Sequence, residues 1–148
     1  KFPEVEFKIV GTQDKSLDAI SIEEVNSWSE YVDYEGPTND VRPYINKCHV
    51  YVLPSYHEGL PRSTLEAMSM GRPILSTNAS GCRETVNENI NGFLVPVGSS
   101  KELANRMIWF IKNRNEIKSM GEQSRKIVEK RFDVRKVNKE MLKIMEIN

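Results

Sequence analysis

Short apolar runs rich in Val, Ile, Phe and Tyr alternate with helical patterns over the first two thirds of the chain. The runs "VEFKIV" (5–10), "YVDYEG" (31–36), "HVYVLP" (49–54), "PILST" (73–77) and "GFLVP" (92–96) are bounded by Gly, Pro or polar residues and predict strands. Helix signals lie between them. Ser21 followed by Glu24 has the form of a capping box, Asp40 can cap "VRPYINK", and Pro61 suits a first helical turn. "GCRETV", after the fourth strand, predicts one or two helical turns. From Ser100 the strands stop. "SKELANRMIWFIKNR" places Leu103, Met107, Ile108 and Ile111 at helical spacing, and "NEIKSMGEQSRKIVEKRF" and "DVRKVNKEMLKIMEI" follow, so three helices close the chain.

Strands alternating with helices predict an α/β fold: a doubly wound, Rossmann-like parallel sheet with helices on both faces and ligands at the carboxyl ends of its strands. No repeat, linker or low-complexity tract interrupts the 148 residues, and one domain over 1–148 is expected. The chain opens on Lys1 rather than Met, which suggests a piece of something longer.

Composition narrows the function classes. Apolar residues make up 39% and charged residues 28%, an ordinary globular mixture with no apolar run of membrane-spanning length and no secretory signal. Twenty-one basic side chains balance 21 acidic ones, which removes any general electrostatic reason to expect nucleic acid as a partner. The charge is unevenly spread. Residues 1–40 hold three lysines against ten acids, whereas 125–143 hold eight Lys or Arg against three acids. That basic stretch reads as the solvated face of terminal helices, with docking to anionic lipid as the alternative. Cys48 and Cys82 lack CxxC spacing and have only His49 and His57 for company, so no metal site is expected and a reducing, cytoplasmic setting is the simplest inference.

The chemistry concentrates in "SYHEGLPRSTLEAMSMGRP" (55–73). The strand before it delivers the chain to the carboxyl edge of the sheet, "YHEG" turns it, and Pro61 starts a helix whose amides and dipole point back at that edge. Such a helix start suits an anion, a diphosphate in particular. Gly59 lets the backbone come close, while Arg62 and Ser63 contribute early N–H groups and Pro61 contributes none. Two carboxylates bracket the start. Sugar rings are dense in hydroxyl donors, and an ionised carboxylate accepts two at once, so Glu58 and Glu66 suit the two sugar rings of a nucleotide sugar. Taken singly, Glu58 also reads as a solvated loop residue and Glu66 as a helix partner of Arg62.

"EGLPRSTLE" resembles the E-x7-E element of the retaining glycosyltransferases of family GT4, the glycosyl transferases group 1, which have the two-domain GT-B architecture. "DVRPYINKCHVYVLPSYHEGLPRSTLEAMSMGRPILSTNASGCRETVNENINGFLVPVG" is similar to the C-terminal, donor-binding half of such enzymes, and the closing helices resemble the family's tail. "AISIEEVNSW" and "GCRE" resemble the branch that extends lipid-linked sugars in bacterial capsule, O-antigen or glycoprotein-glycan assembly.

The resemblance implies that Glu58 is the catalytic carboxylate at the donor hexose, orienting it and easing its positive charge. It implies that Glu66 holds the ribose, that the amides of Gly59 and Leu60 approach the distal phosphate with Arg62 nearby, and that Tyr34, Glu35 and Gly36 flank the base. Gly81 and Glu84 fit the family's pattern, though a structural role at a helix start is preferred for them; Asn78 stands where the family usually has Asp. The donor would be a nucleotide sugar, UDP-linked by expectation, used without a metal or other cofactor. The acceptor would be lipid-linked or a glycan, and the protein cytoplasmic or peripheral at the inner face of the plasma membrane. The family's "GRLxxxKG"-like stretch, which grips the diphosphate, and its acceptor-binding N-terminal half are not in this sequence, so the chain alone is expected to bind nucleotide weakly and not to turn over. In the usual strand order, 3-2-1-4-5-6, the missing stretch supplies the central strand, between "VEFKIV" and "HVYVLP". Those two strands are then expected to close up, or the gap to be filled by other residues. A GT-B-fold sugar-nucleotide 2-epimerase and a non-catalytic doubly wound nucleotide-binding module are the alternatives.

Overall fold

A computed structural model describes residues 2–14 and 19–146. Lys1, residues 15–18 and the last two residues, including Ile147 of the final helical pattern, lie outside the described residues. The chain divides into two compact units, Lys1–Tyr44 and Ile45–Asn148.

In the first unit, β1 (Lys8–Val10) pairs in parallel with β2 (Asp33–Gly36), and α1 (Ile22–Ser27) lies between them in sequence. The expected cap is present: Ser21 Oγ accepts the Glu24 amide at 3.1 Å. Lys8 sits between the Asp33 and Glu35 carboxylates at 3.2 and 3.1 Å, a cross-strand trio in which the hydrogen bonds that Lys8 donates to Glu35 and Asp33 raise its pKa above the ordinary value. At the carboxyl ends, the Tyr34 hydroxyl donates to Gly11 O at 2.8 Å and the Gly11 amide donates to Gly36 O at 3.0 Å.

α2 (Arg42–Lys47) begins where the Asp40 carboxylate accepts the Arg42 amide at 3.0 Å, as its position predicts. In the second unit, β3 (Tyr51–Leu53), β4 (Ile74–Thr77) and β5 (Gly92–Val95) form a parallel sheet in that order. α3 (Arg62–Ser69) and a 3-10 turn (Cys82–Glu84) make the crossovers. Three helices follow: α4 (Ser100–Lys112), α5 (Arg114–Arg131) and α6 (Val134–Ile144). All five strands are shorter than the apolar runs that contain them, because the outer residues of each run lack a ladder partner.

Within the first unit β1 pairs with β2, and within the second β3 pairs with β4, so each ladder keeps the partner that its own crossover brings.

β4 is buried along its whole length, as the middle strand of a parallel sheet must be. Alternation sends Leu75 to the face shared with its register partner Phe93 and with Val95, where Phe110 of α4 and Met120 of α5 complete a buried cluster. Phe93 meets Trp109 and Phe110 edge-on, with ring centroids 4.7 and 5.3 Å apart. α5 also braces the turn after α3. A Cβ at Gly121 would stand 2.1 Å from Gly71 O, so the helix approaches that backbone through a glycine. Arg125 donates to Ser69 O, and buried Ser124 meets the Asn91 amide at 3.3 Å.

Phe93 is 1% exposed, whereas Val134 on α6 is 65% exposed. Phe93→Ala is expected to cost about 3–5 kcal/mol in urea unfolding, and Val134→Ala less than about 0.5 kcal/mol.

Candidate functional site

The sheet of the second unit sends the ends of β3, β4 and β5 to one edge, and the loop Pro54–Pro61 crosses it. Two hydroxyls at the end of β4 hold the start of that loop. Ser76 Oγ donates to Leu53 O at 2.8 Å, and Thr77 Oγ1 donates to Ser55 O. Ser55 Oγ in turn donates to Glu58 Oε1 at 2.8 Å, so the half-buried Glu58 carboxylate is oriented from within its own loop. Neutral hydroxyl donation to one oxygen leaves the other free to accept.

Pro61 takes the N-cap position, one residue before the helical turn in which the sequence placed it. A proline has neither a capping oxygen nor an N–H, so the first amides of α3 receive no side-chain cap. The Gly59 and Leu60 amides before it likewise make no backbone hydrogen bond among the described residues. Gly59 is exposed, and a Cβ there would meet nothing within 4 Å. The protein's own packing therefore does not require glycine at this position. Leu60 is exposed beside it.

Arg62 opens α3 and Glu66 lies one turn on, both exposed. The helix pairing open to them in the sequence is not made: no ion pair joins them among the described residues. Both charges are left for solvent or ligand. The structure thus brings together Glu58, Gly59, Leu60, Arg62 and Glu66 on one loop and helix start. Tyr34, Glu35 and Gly36 stand in the first unit, at the carboxyl end of β2, where the Tyr34 hydroxyl and the Glu35 carboxylate already have partners in Gly11 and Lys8.

Three features escaped the sequence pattern. Tyr51 on β3 is half-buried beside the Ser63 hydroxyl, and burial raises its pKa above the ordinary 10.0, with the charges of Glu66 and Glu58 adding to the rise. A cleft of about 160 Å³ opens at the ends of β3, β4 and β5, lined among others by Pro54, Tyr56, Thr77, Pro96 and Ser99. Gly81, whose helix-start role was expected, does cap the 3-10 turn, but it also lies against the Glu58–Gly59 backbone. Glu84 is engaged structurally: its carboxylate meets Arg131 at 3.0 Å. Asn78 is exposed, and its amide donates to Val95 O at 2.7 Å.

A family model described as glycosyl transferases group 1 matches residues 1–113. The chain belongs to that family. Among its relatives is the N,N'-diacetylbacillosaminyl-diphospho-undecaprenol alpha-1,3-N-acetylgalactosaminyltransferase of Campylobacter jejuni, 33% identical over 101 residues, or 68% of this chain and 26% of the relative. The capsular polysaccharide biosynthesis glycosyltransferase CapM of Staphylococcus aureus is 30% identical over 94 residues, covering 64% of this chain and 25% of CapM. The crystal structure of Anabaena Alr3699/HepE in complex with UDP superposes with a TM-score of 0.87 at 26% identity, over 97% of this chain and 41% of that one. The chain therefore spans about a quarter to two fifths of the length of these relatives. Its fold is the Rossmann-like domain of the GT-B architecture, as the resemblance implied.

Because burial favours the neutral phenol of Tyr51, its contribution to stability is fully present below its ordinary pKa and is lost as pH rises through the raised value. Unfolding followed across that range is expected to show wild type losing stability more steeply above pH 10 than Tyr51→Phe does.

Proposed function

We propose that the chain is the donor-binding domain of a retaining glycosyltransferase that transfers a sugar from a nucleotide-diphosphate sugar, UDP-linked, to a lipid-linked or glycan acceptor in bacterial surface polysaccharide synthesis. One observation carries the reading. The uncapped start of α3 and the unbonded Gly59 and Leu60 amides lie at the carboxyl edge of a parallel sheet, with a carboxylate on either side. Such a site offers donors to a diphosphate and acceptors to the sugars at its two ends. The UDP bound by the Anabaena neighbour supports the choice of nucleotide, and the names of the Campylobacter and Staphylococcus relatives support the class of acceptor.

In this reading Glu66 accepts hydrogen bonds from the ribose. Glu58, oriented by Ser55, accepts them from the transferred hexose and eases the positive charge that develops on it. The departing diphosphate is met by the helix-start amides and Arg62, electrostatic stabilisation that is in place before the bond breaks and that calls for no metal. Residues 1–148 act as one donor domain of a longer, two-domain enzyme that works at the inner face of the plasma membrane, and alone they bind nucleotide without turning over.

The test is calorimetric titration of the chain with UDP, GDP, UDP-sugars and 2',3'-dideoxy-UDP, repeated on Glu66→Ala. A hydrogen bond to a charged group contributes about 1.5–3 kcal/mol. Wild type is therefore expected to prefer UDP over its dideoxy analogue by roughly ten- to a hundred-fold, and Glu66→Ala to erase most of that preference. A wild type that binds none of these nucleotides, or a substitution that leaves the preference intact, contradicts the reading.

A further inference from the structure

The two free amides at the site belong to peptides whose carbonyls are held from the other side. A Cβ built on Gly81 would lie 1.6 Å from Gly59 O, 2.6 Å from Glu58 O and 2.6 Å from Gly59 C. The nearest atoms of this loop are thus carbonyl oxygens, so both C=O groups are turned toward Gly81. Among the described residues no peptide is cis, and in a planar trans peptide the N–H points opposite to the C=O. The Glu58 carbonyl shares its peptide with the Gly59 N–H, and the Gly59 carbonyl with the Leu60 N–H. Both amides therefore face away from Gly81, on the exposed side of the loop, and neither makes a backbone hydrogen bond among the described residues.

Gly81 can occupy this place because it has no side chain and tolerates its φ of +76°. Its own position is fixed from below. Gly81 caps the 3-10 turn, and the last residue of that turn, Glu84, is gripped twice by Arg131 of α5: one guanidinium nitrogen meets its carbonyl at 3.1 Å and another its carboxylate at 3.0 Å. Cys82 and Thr85 are buried, with the Thr85 hydroxyl donating to Cys82 O at 2.8 Å. Fully buried Asn91 donates to Thr85 O at 3.0 Å.

We infer that Gly81 is a positioning residue for the diphosphate. It keeps two consecutive peptides turned carbonyl-in and amide-out, and Arg131 secures it there through Glu84. The ligand class is a terminal phosphate or a diphosphate, because two neighbouring amides that already face outward bond an anionic oxygen more strongly than the neutral acceptors of a base or a ribose. A side chain at Gly81 would force the peptides to shift or rotate, presenting a carbonyl oxygen where the phosphate needs a donor. This inference rests on the donor-site reading above, and its test separates the two.

The experiment measures the affinities of the chain for UDP, UMP and uridine in wild type, Gly81→Ala, Arg131→Gln and Glu66→Ala, with thermal melting as the check on folding. Wild type is expected to bind UDP at least roughly ten-fold more tightly than UMP, the share contributed by charge-assisted bonds to the second phosphate. Gly81→Ala is expected to erase that step while leaving the affinity for uridine unchanged. Arg131→Gln, which removes only an exposed guanidinium far along the chain, is expected to reduce the step several-fold with uridine affinity again unchanged. If Gly81→Ala does not fold, Arg131→Gln decides alone. A merely structural role would lower all three affinities together. The inference is overturned if a folded Gly81→Ala keeps the wild-type UDP:UMP ratio, or if Arg131→Gln leaves the ratio untouched. The donor-site reading fails instead if wild type itself shows no step from uridine to UDP and Glu66→Ala changes nothing.

Discussion

Parallel pairing of β4 with both its neighbours is the constraint on which the second unit depends. A strand buried on both faces has no water to satisfy its backbone, so its N–H and C=O groups need β3 on one side and β5 on the other. Parallel pairing in turn requires every crossover to return to the same end of the sheet, which brings the ends of all three strands to one edge. Two hydroxyls there, Ser76 and Thr77, bond backward to the end of β3 and so tie the site loop to the sheet. The loop is therefore less free than its length suggests. Its geometry is set on one face by β4 and on the other by the 3-10 turn, and α5 braces both that turn and the end of α3.

Most of this architecture is legible in the sequence, for physical reasons. Val, Ile, Phe and Tyr in short runs bounded by Gly, Pro or polar residues located the strands β1 to β5, since a pleated surface favours those side chains. Ser21 and Asp40 marked helix starts because their oxygens do accept the first amides. The helix start proposed as an anion site was legible in Pro61, although the structure moves the proline to the cap. That shift strengthens the case, because a cap residue without a side-chain acceptor leaves more amides free. The two glutamates were proposed from type and spacing, and the ring proposed for each rests on the family resemblance.

What the sequence hid depends on distance in space rather than on residue type. Nothing in "GCRE" announces that its glycine will press against carbonyls more than twenty residues earlier, because that contact exists only after β4 has brought the two turns to one edge. Tyr51 reads as an ordinary strand aromatic until α3 brings Glu66, and the loop before it Glu58, within electrostatic reach. The Arg131–Glu84 grip joins positions 47 residues apart and leaves no local signature. The separation of the ladders into β1–β2 and β3–β4–β5 was likewise beyond any count of strands, since it depends on which edges find partners.

A nucleoside diphosphate received by outward-facing amides at the start of α3, as proposed, would perturb those amides in amide-resolved NMR of the chain titrated with UDP. The largest shifts are expected on Gly59, Leu60 and Ser63, with Glu66 also moving and the amides of Gly98, Ser99 and Ser100 in the cleft changing little. Shifts concentrated in that cleft, with Gly59 and Leu60 unmoved at saturating UDP, would contradict the proposal.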